Sequence, residues 1–294
     1  SGVSSDAQGN TVGGTGAGEN FSGTSAVNNS LFGKDAGNDI TSGDKNCFFG
    51  ERAGTKITTS EGSTVFGTGA LRNATTTGEM CVFGFDACEN TGISPAQGGA
   101  RTHAFGYKAL QNNQSGDDNH AFGYYALQSC STGYGNTAVG QQTLNQNTSG
   151  SKNTAIGYQA GKAITTASEN VAIGYQAGKA ITTGEDNTYL GKDAALVQTT
   201  GRRNSGVGWE ALVSLTTGDS NSGMGRWALC NLTTGDSNTA IGDTAGLGLT
   251  TGSHNIFIGR DAEPSSSSVS NEITIGNSNV ATLRCQVTSI TALS

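Results

Sequence analysis

The 294-residue chain contains two prolines, three histidines and two tryptophans, and aromatic residues make up only 6% of it. With hydrophobic residues at 34%, too little apolar bulk is present for a thick spherical core. No apolar run approaches the roughly 18 residues of a membrane-spanning helix, so no membrane insertion is expected. Positive charge is also scarce. Sixteen Lys and Arg against 23 Asp and Glu leave a net charge of −7, which disfavours a nucleic-acid partner because phosphate binding needs a basic surface. The six cysteines, Cys47, Cys81, Cys88, Cys130, Cys230 and Cys285, form no CxxC pair and have no His at zinc-site spacing. They read as small, reduced hydrophobes. A P-loop, an HExxH helix and a nucleophile elbow are all missing, so neither an enzyme nor a cofactor is expected. The first residues, Ser1 to Ser5, lack a Met and any signal-peptide pattern, and read as a fragment or a tag remnant.

Glycine, by contrast, occurs 46 times without the every-third-residue spacing of collagen, which calls for a turn-rich structure. Self-similarity explains it. The stretch NTAIGYQAGKAITTASE from Asn153 is followed from Asn170 by a near copy. With the glycine of NTAIG as marker, the series runs Gly33, Gly50, Gly67, Gly84, then Gly106 and every seventeenth residue to Gly276. Of these fourteen spacings thirteen are 17, and one is 22 because of a five-residue insertion. A sixteenth, degenerate unit is expected around Val12 and Gly13.

The columns of the repeat carry physical meaning. The residue before the marker is apolar in all fifteen copies, Phe from Phe32 to Phe122 and then aliphatic from Val139 to Ile275. Such a column predicts a buried stripe along a solenoid, at the end of strands of about four residues. Three residues after the marker, Ala occurs thirteen times between Ala36 and Ala262. That regularity implies close approach of another backbone, inside the coil or from a neighbouring chain. Asn lies four before the marker in eleven copies, from Asn29 to Asn255, where stacked amides can form a ladder. Seventeen residues leave room for two short strands and two turns. The fold expected is all-β, a parallel β-solenoid of about fifteen coils, roughly 70 Å long at the spacing of stacked strands. Residues 29–279 form the repeat region, 1–28 a linker or degenerate first coil, and 280–294 a C-terminal stem. A coil this narrow buries little apolar surface, so association of several chains is expected.

The unit NTAIGYQA at Asn153 resembles the head repeat of trimeric autotransporter adhesins, N-S-x-A-I-G-x-x-A. The resemblance implies a β-roll in a homotrimer, although the period of 17 is longer than that family's usual coil. The last stretch, from Asn277 to Ser294, resembles the approach to the intramolecular chaperone of endosialidase-type phage tail fibres and spikes. There the chaperone trimerises the fibre and cleaves itself off after a Ser. This resemblance implies that Ser294 is the residue left by autocleavage, after transient partnership with the chaperone. Together they imply a structural, receptor-binding trimer of a virion tail fibre that contacts a host cell-surface receptor. Two alternatives stand beside it: the head of a bacterial surface adhesin, and a glycan-depolymerising tail spike.

Candidate contact residues come from the columns. Just after the marker stand Phe85, Tyr107, Tyr124, Tyr158, Tyr175 and Trp209 among charged residues. That mixture reads as surface, where rings could stack on successive sugars of a glycan. The insertion, including Pro95 and Arg101, breaks the period and is expected to leave as a loop on a binding face. His103 and His120 share a column in adjacent coils and would form stacked imidazole rings in a trimer, a candidate metal site on its axis. Recurrent Thr, from Thr148 to Thr250, adjoins a glycine turn and so lacks the flat strand-borne array of an ice-binding face.

Overall fold

The computed structural model describes residues 2–22, 25–75, 78–92 and 101–282. These contain no helix, and therefore none long and apolar enough to cross a membrane. They hold seventeen three-residue strands in one sheet. β1 (Val3–Ser5) pairs antiparallel with β2 (Thr11–Gly13), and β2 pairs in parallel with β3 (Ser30–Phe32). From β3 to β17 (Ile273–Ile275) each coil contributes one strand, parallel to those of the coils before and after it. β2 lies in register with β3, with Gly13 opposite Phe32. The amide of Asn10 donates to the carbonyl of Ala26 at 2.8 Å, within the column of the later Asn residues. The chain is a parallel β-solenoid of about fifteen turns with a 17-residue period.

The five extra residues before Gly106 do not disturb this stacking. β6 (Cys81–Phe83) pairs directly with β7 (His103–Phe105), Cys81 opposite His103. Residues 93–100, with Pro95, lie outside the described residues.

Each coil has one strand where two were expected. In the coil of Gly157, the Ala160 N–H donates to Gly157 O, Lys162 N–H to Gln159 O, and Ile164 N–H to Gly161 O. These are three consecutive turns. Gln159 and Gly161 both have φ near +56°, and a left-handed residue at every second position reverses the chain before it can extend. The intervening amides bind neighbouring coils: Gln159 N–H to Gln141 O at 3.0 Å on one side, Gly161 N–H to Ala177 O at 3.0 Å on the other. Backbone pairing thus continues around the coil, although only three residues of it are strand.

The marker glycine opens this run of turns. At Gly157, φ is +127°, and an added Cβ would stand 2.4 Å from the carbonyl oxygen of Gly174 in the next coil. Both the conformation and the contact exclude a side chain.

Inside, the core is one side chain wide. From β3 to the strand before β17 the middle residue of each strand points in: Leu31, Phe48, Val65, Val82, then Ala104 to Ala172, Tyr189 and Phe257, all essentially without exposure. Opposite them lies the Ala column, also fully buried from Ala36 onward. A Cβ on Gly223 would lie 3.1 Å from the carbonyl oxygen of Ala228, so the close approach behind the recurrent Ala occurs within a single coil. Volume is exchanged locally between columns. The bulk of Tyr189 is matched by Gly206 in the next coil, where a Cβ would sit 3.1 Å from the Tyr189 ring.

The Asn column is buried as a ladder in two runs, Asn10 to Ser63 and Asn119 to Glu272, interrupted at Met80 and Thr102. From Asn119 to Asn238, each Oδ1 accepts both the backbone N–H and the Nδ2 of the Asn in the following coil, and Asn255 Oδ1 accepts the backbone N–H of Glu272. Each Nδ2 also reaches a turn carbonyl, as Asn153 does to Ala167 O at 2.8 Å. Ser63, Met80 and Thr102 occupy the same position in the early coils. Every polar atom of the ladder is thereby engaged, which is what permits amides in so thin a core.

Candidate functional site

A three-residue strand alternates out, in, out, and this alternation overturns one expectation. The apolar residue before the marker is the third of the strand and faces outward. Val139, Ile156, Leu190, Met224, Ile241, Ile258 and Ile275 are between 37% and 52% exposed, and Phe122 39%. Phe32, Phe49, Phe66 and Phe83 are half-buried because they stack on one another at 4.8 to 5.0 Å. The column is therefore an apolar stripe on the surface of the single chain. Hydrophobic identity alone did not distinguish it from the true interior column one residue earlier, where Ala, Gly and Ser-sized gaps look less like a core.

The first residue of each strand also faces outward, beside the stripe. It is Thr, Ser, Val or Ile in most coils, with Cys47, Cys81, His103 and His120 among them. The two imidazoles stack at 5.1 Å with planes 18° apart. The Cys81 backbone N–H donates to Nδ1 of His103 at 3.2 Å, which requires that nitrogen to be unprotonated. Burial, and secondarily the proximity of His120, lower the pKa of His103. Nδ1 of His120 is buried without a partner. Among the described residues no group of three or more His, Cys, Asp or Glu is arranged to hold a metal, so one chain does not complete a site around this pair.

The ring column after the marker is exposed, from 37% at Tyr107 to 47% at Phe85 and Tyr175. Its geometry differs from a row of separate platforms. Phe85 stacks on Tyr107 at 5.5 Å, Tyr107 on Tyr124 at 5.2 Å, and Tyr158 on Tyr175 at 5.3 Å. Half of the ring faces are thus covered by the next ring, and the edges and hydroxyls meet solvent. Tyr125 closes edge-on against both Tyr107 and Tyr124. Further along, the Lys192 ammonium lies 5.9 Å from the Tyr175 ring and 5.8 Å from Trp209. Trp227, which the column reading did not include, packs at 5.5 Å against Trp209 and donates its indole N–H to Glu210 at 2.8 Å. It sits one position later in its coil than the other rings and so lies outside their column. The signal was the tryptophan pair itself, 18 residues apart.

The remaining candidates separate. Arg101 forms a two-bond ion pair with Asp118, at 2.6 and 2.9 Å on the exposed surface, and the guanidinium holds the Asp118 carboxyl below its ordinary range. Its donors face a protein partner. Pro95 and Ser294 lie outside the described residues. The Thr column is spent on the coil: Thr148 Oγ1 donates to Thr165 O at 3.1 Å, and the pattern continues to Thr250. Of the neighbouring carboxylates, Asp118 is held by Arg101, and Glu185 lies 3.7 Å from Arg202. No family model, curated protein or solved structure matches the chain.

Proposed function

We propose that this chain is a rigid segment of a self-associating fibre, a homotrimer that spaces and presents a receptor-contact surface on a virion tail. The single observation that carries the reading is the outward apolar stripe from Phe32 to Ile275. At the stacking distance of strands, the strand face that bears it is about 70 Å long and, with a three-residue strand, about 10 Å wide. That is roughly 700 Å² of strand face, about half of it the apolar column itself and the rest the mostly Thr and Ser residues beside it, which puts the apolar part among the larger contiguous patches that monomers expose. The strand face as a whole approaches the ~800 Å² per partner of a stable interface. A second copy of the same stripe is the simplest cover, because its ladder has the same period and the same small, flat residues beside it.

The trimer number and the tail-fibre address come from the sequence resemblances. The reading takes the chain to have no catalytic role, and its partners to be further copies of itself and a host surface receptor.

Light scattering is the direct test. A mass three times 29.7 kDa is expected. A mass of one chain overturns the self-association, and a dimer overturns the trimer. Ile156→Asp combined with Ile241→Asp places carboxylates in the stripe and should lower the mass to one chain. Antibody raised to the chain should decorate tails on intact virions; labelling of a bacterial surface instead would favour the adhesin reading.

A further inference from the structure

The exposed ring column is interrupted at one coil. Tyr107 and Tyr124 end one stack, Tyr158 and Tyr175 form the next, and the coil between them carries Gln141 at that position. Because rings in this column lie face to face along the rod, the last face of Tyr124 and the first face of Tyr158 look toward each other across the Gln141 coil. They are two coil rises apart, about 10 Å at the stacking distance of strands. Carbon atoms touch an aromatic face at about 3.5–4.0 Å. The space left between the two faces has the depth of one puckered six-membered ring and not of two.

The side chains that the coils of Gly123, Gly140 and Gly157 place in the two columns after the marker are all uncharged. Gln141 is exposed, and its carboxamide has no hydrogen-bond partner among the described residues. Beside it runs a second ladder: Gln176 Nε2 donates to Gln159 Oε1 at 3.0 Å, and Gln159 Nε2 to Gln142 Oε1 at 2.8 Å. The chain of amides ends at the gap, leaving Nε2 of Gln142 without a protein acceptor there. In the two positions after each marker, the coils of Gly123, Gly140, Gly157 and Gly174 hold only Tyr and Gln. The nearest cations in those columns are Lys108 on one side and Lys192 on the other, each beside a ring at 5.5 and 5.9 Å.

We propose that the gap at Gln141 is a binding site for a single pyranose unit of an uncharged glycan. The two tyrosine faces cover the C–H faces of the sugar, and the carboxamides of Gln141 and Gln142 meet its hydroxyls, an amide presenting both donor and acceptor. Within the stacks the faces are occupied by neighbouring rings, so sugar is read at an interruption and not ring by ring. The inference rests on the receptor-contact reading above and supplies its ligand class.

The test uses the whole assembled protein and defined hexasaccharides as probes: malto-, cello-, manno- and chitohexaose for neutral sugars, oligosialic and oligogalacturonic acid for acidic ones. Saturation-transfer NMR and calorimetry should detect at least one neutral probe. Gln141→Tyr continues the ring stack and closes the gap without truncating anything. It should weaken binding at least about tenfold, the ratio that corresponds to 1.4 kcal/mol. Arg260→Ala, seven coils away on the exposed surface, should leave binding within about twofold, as expected for distant independent sites. Circular dichroism and melting of each variant establish that it folds. Unchanged binding in Gln141→Tyr, binding of acidic probes only, or binding of no probe overturns the proposal. Scattering mass measured on the same samples separates this outcome from failure of the fibre: an intact multimer that ignores every sugar refutes the site alone.

Discussion

Asn170 makes two hydrogen bonds to one atom of Asn153: its backbone N–H and its Nδ2 both reach Oδ1, at 3.1 and 3.2 Å. The same Nδ2 donates to Gly184 O at 2.9 Å, and Asn187 repeats the arrangement on Asn170. Removing the side chain therefore strands polar groups on both sides of a fully buried position. Asn170→Ala is expected to cost about 2–4 kcal/mol, the range for leaving several buried partners unsatisfied. Urea denaturation monitored by circular dichroism measures it. Asn170→Ser should cost less, since Ser63 already serves the ladder with its N–H to Asn46 Oδ1 at 3.1 Å and its hydroxyl to Gly78 O at 3.0 Å. Equal losses for Ala and Ser would contradict the role given to the side-chain bonds.

Gly157 leads to a sharper expectation. Its φ of +127° and the carbonyl of Gly174 at 2.4 Å from a would-be Cβ leave no relaxed place for a methyl group. Gly157→Ala should lower stability by roughly 3 kcal/mol through strain and backbone displacement. Gly62, whose Cβ would meet only the Glu79 side chain at 3.7 Å although its φ is +70°, should lose less on the same change. Parallel melting of both variants tests whether the carbonyl contact matters beyond the dihedral.

The depressed pKa of His103 has a defined sign. Burial is the main cause, with the charge of His120 second, so the folded chain releases this proton more readily than the unfolded chain does. The unfolded state then binds more protons between the lowered value and the ordinary 6.5. Stability from this group is complete above about pH 6.5 and is lost as the pH falls below it. His103→Thr, which installs the commonest residue of its column, should flatten the change in melting temperature between pH 7.5 and pH 5. An undiminished slope would assign that dependence to other groups.

Burial pushes the thiols of Cys88 and Cys130 up to about 12. At pH 8 the thiolate, the reactive form, is then present at about one part in ten thousand. Both should stay unlabelled by iodoacetamide in the native protein and react once it is unfolded, as read by peptide mass mapping. Labelling of either in the native state would mean that its coil opens readily.

The 17-residue period, the all-β class, the parallel stacking and the Asn ladder were legible in the sequence. A column that repeats in fifteen coils exposes its own constraint: a glycine that must turn, an amide that must pair with its own image. The repeat also located the rings, since the residue after each marker glycine lies at a corner of the coil.

Inward and outward were not legible. The sequence determined that Ile156 and its equivalents form one apolar column, and period alone assigned that column to the core. Only the tertiary structure decided that Ala155 points in and Ile156 points out. The left-handed residues at Gln159 and Gly161 fold the second half of the coil back onto the strand, and the enclosed space is filled by Ala155, Ala160 and Ile164 in that coil and by larger side chains such as Phe48, Tyr189 and Phe257 in others. Likewise, their column marked Tyr124 and Tyr158 as surface residues, but stacking along the rod decided which ring faces remain free. The inward and outward assignment has one physical cause: in a three-residue strand only the middle side chain turns inward, so the third, however apolar, is directed to the surface.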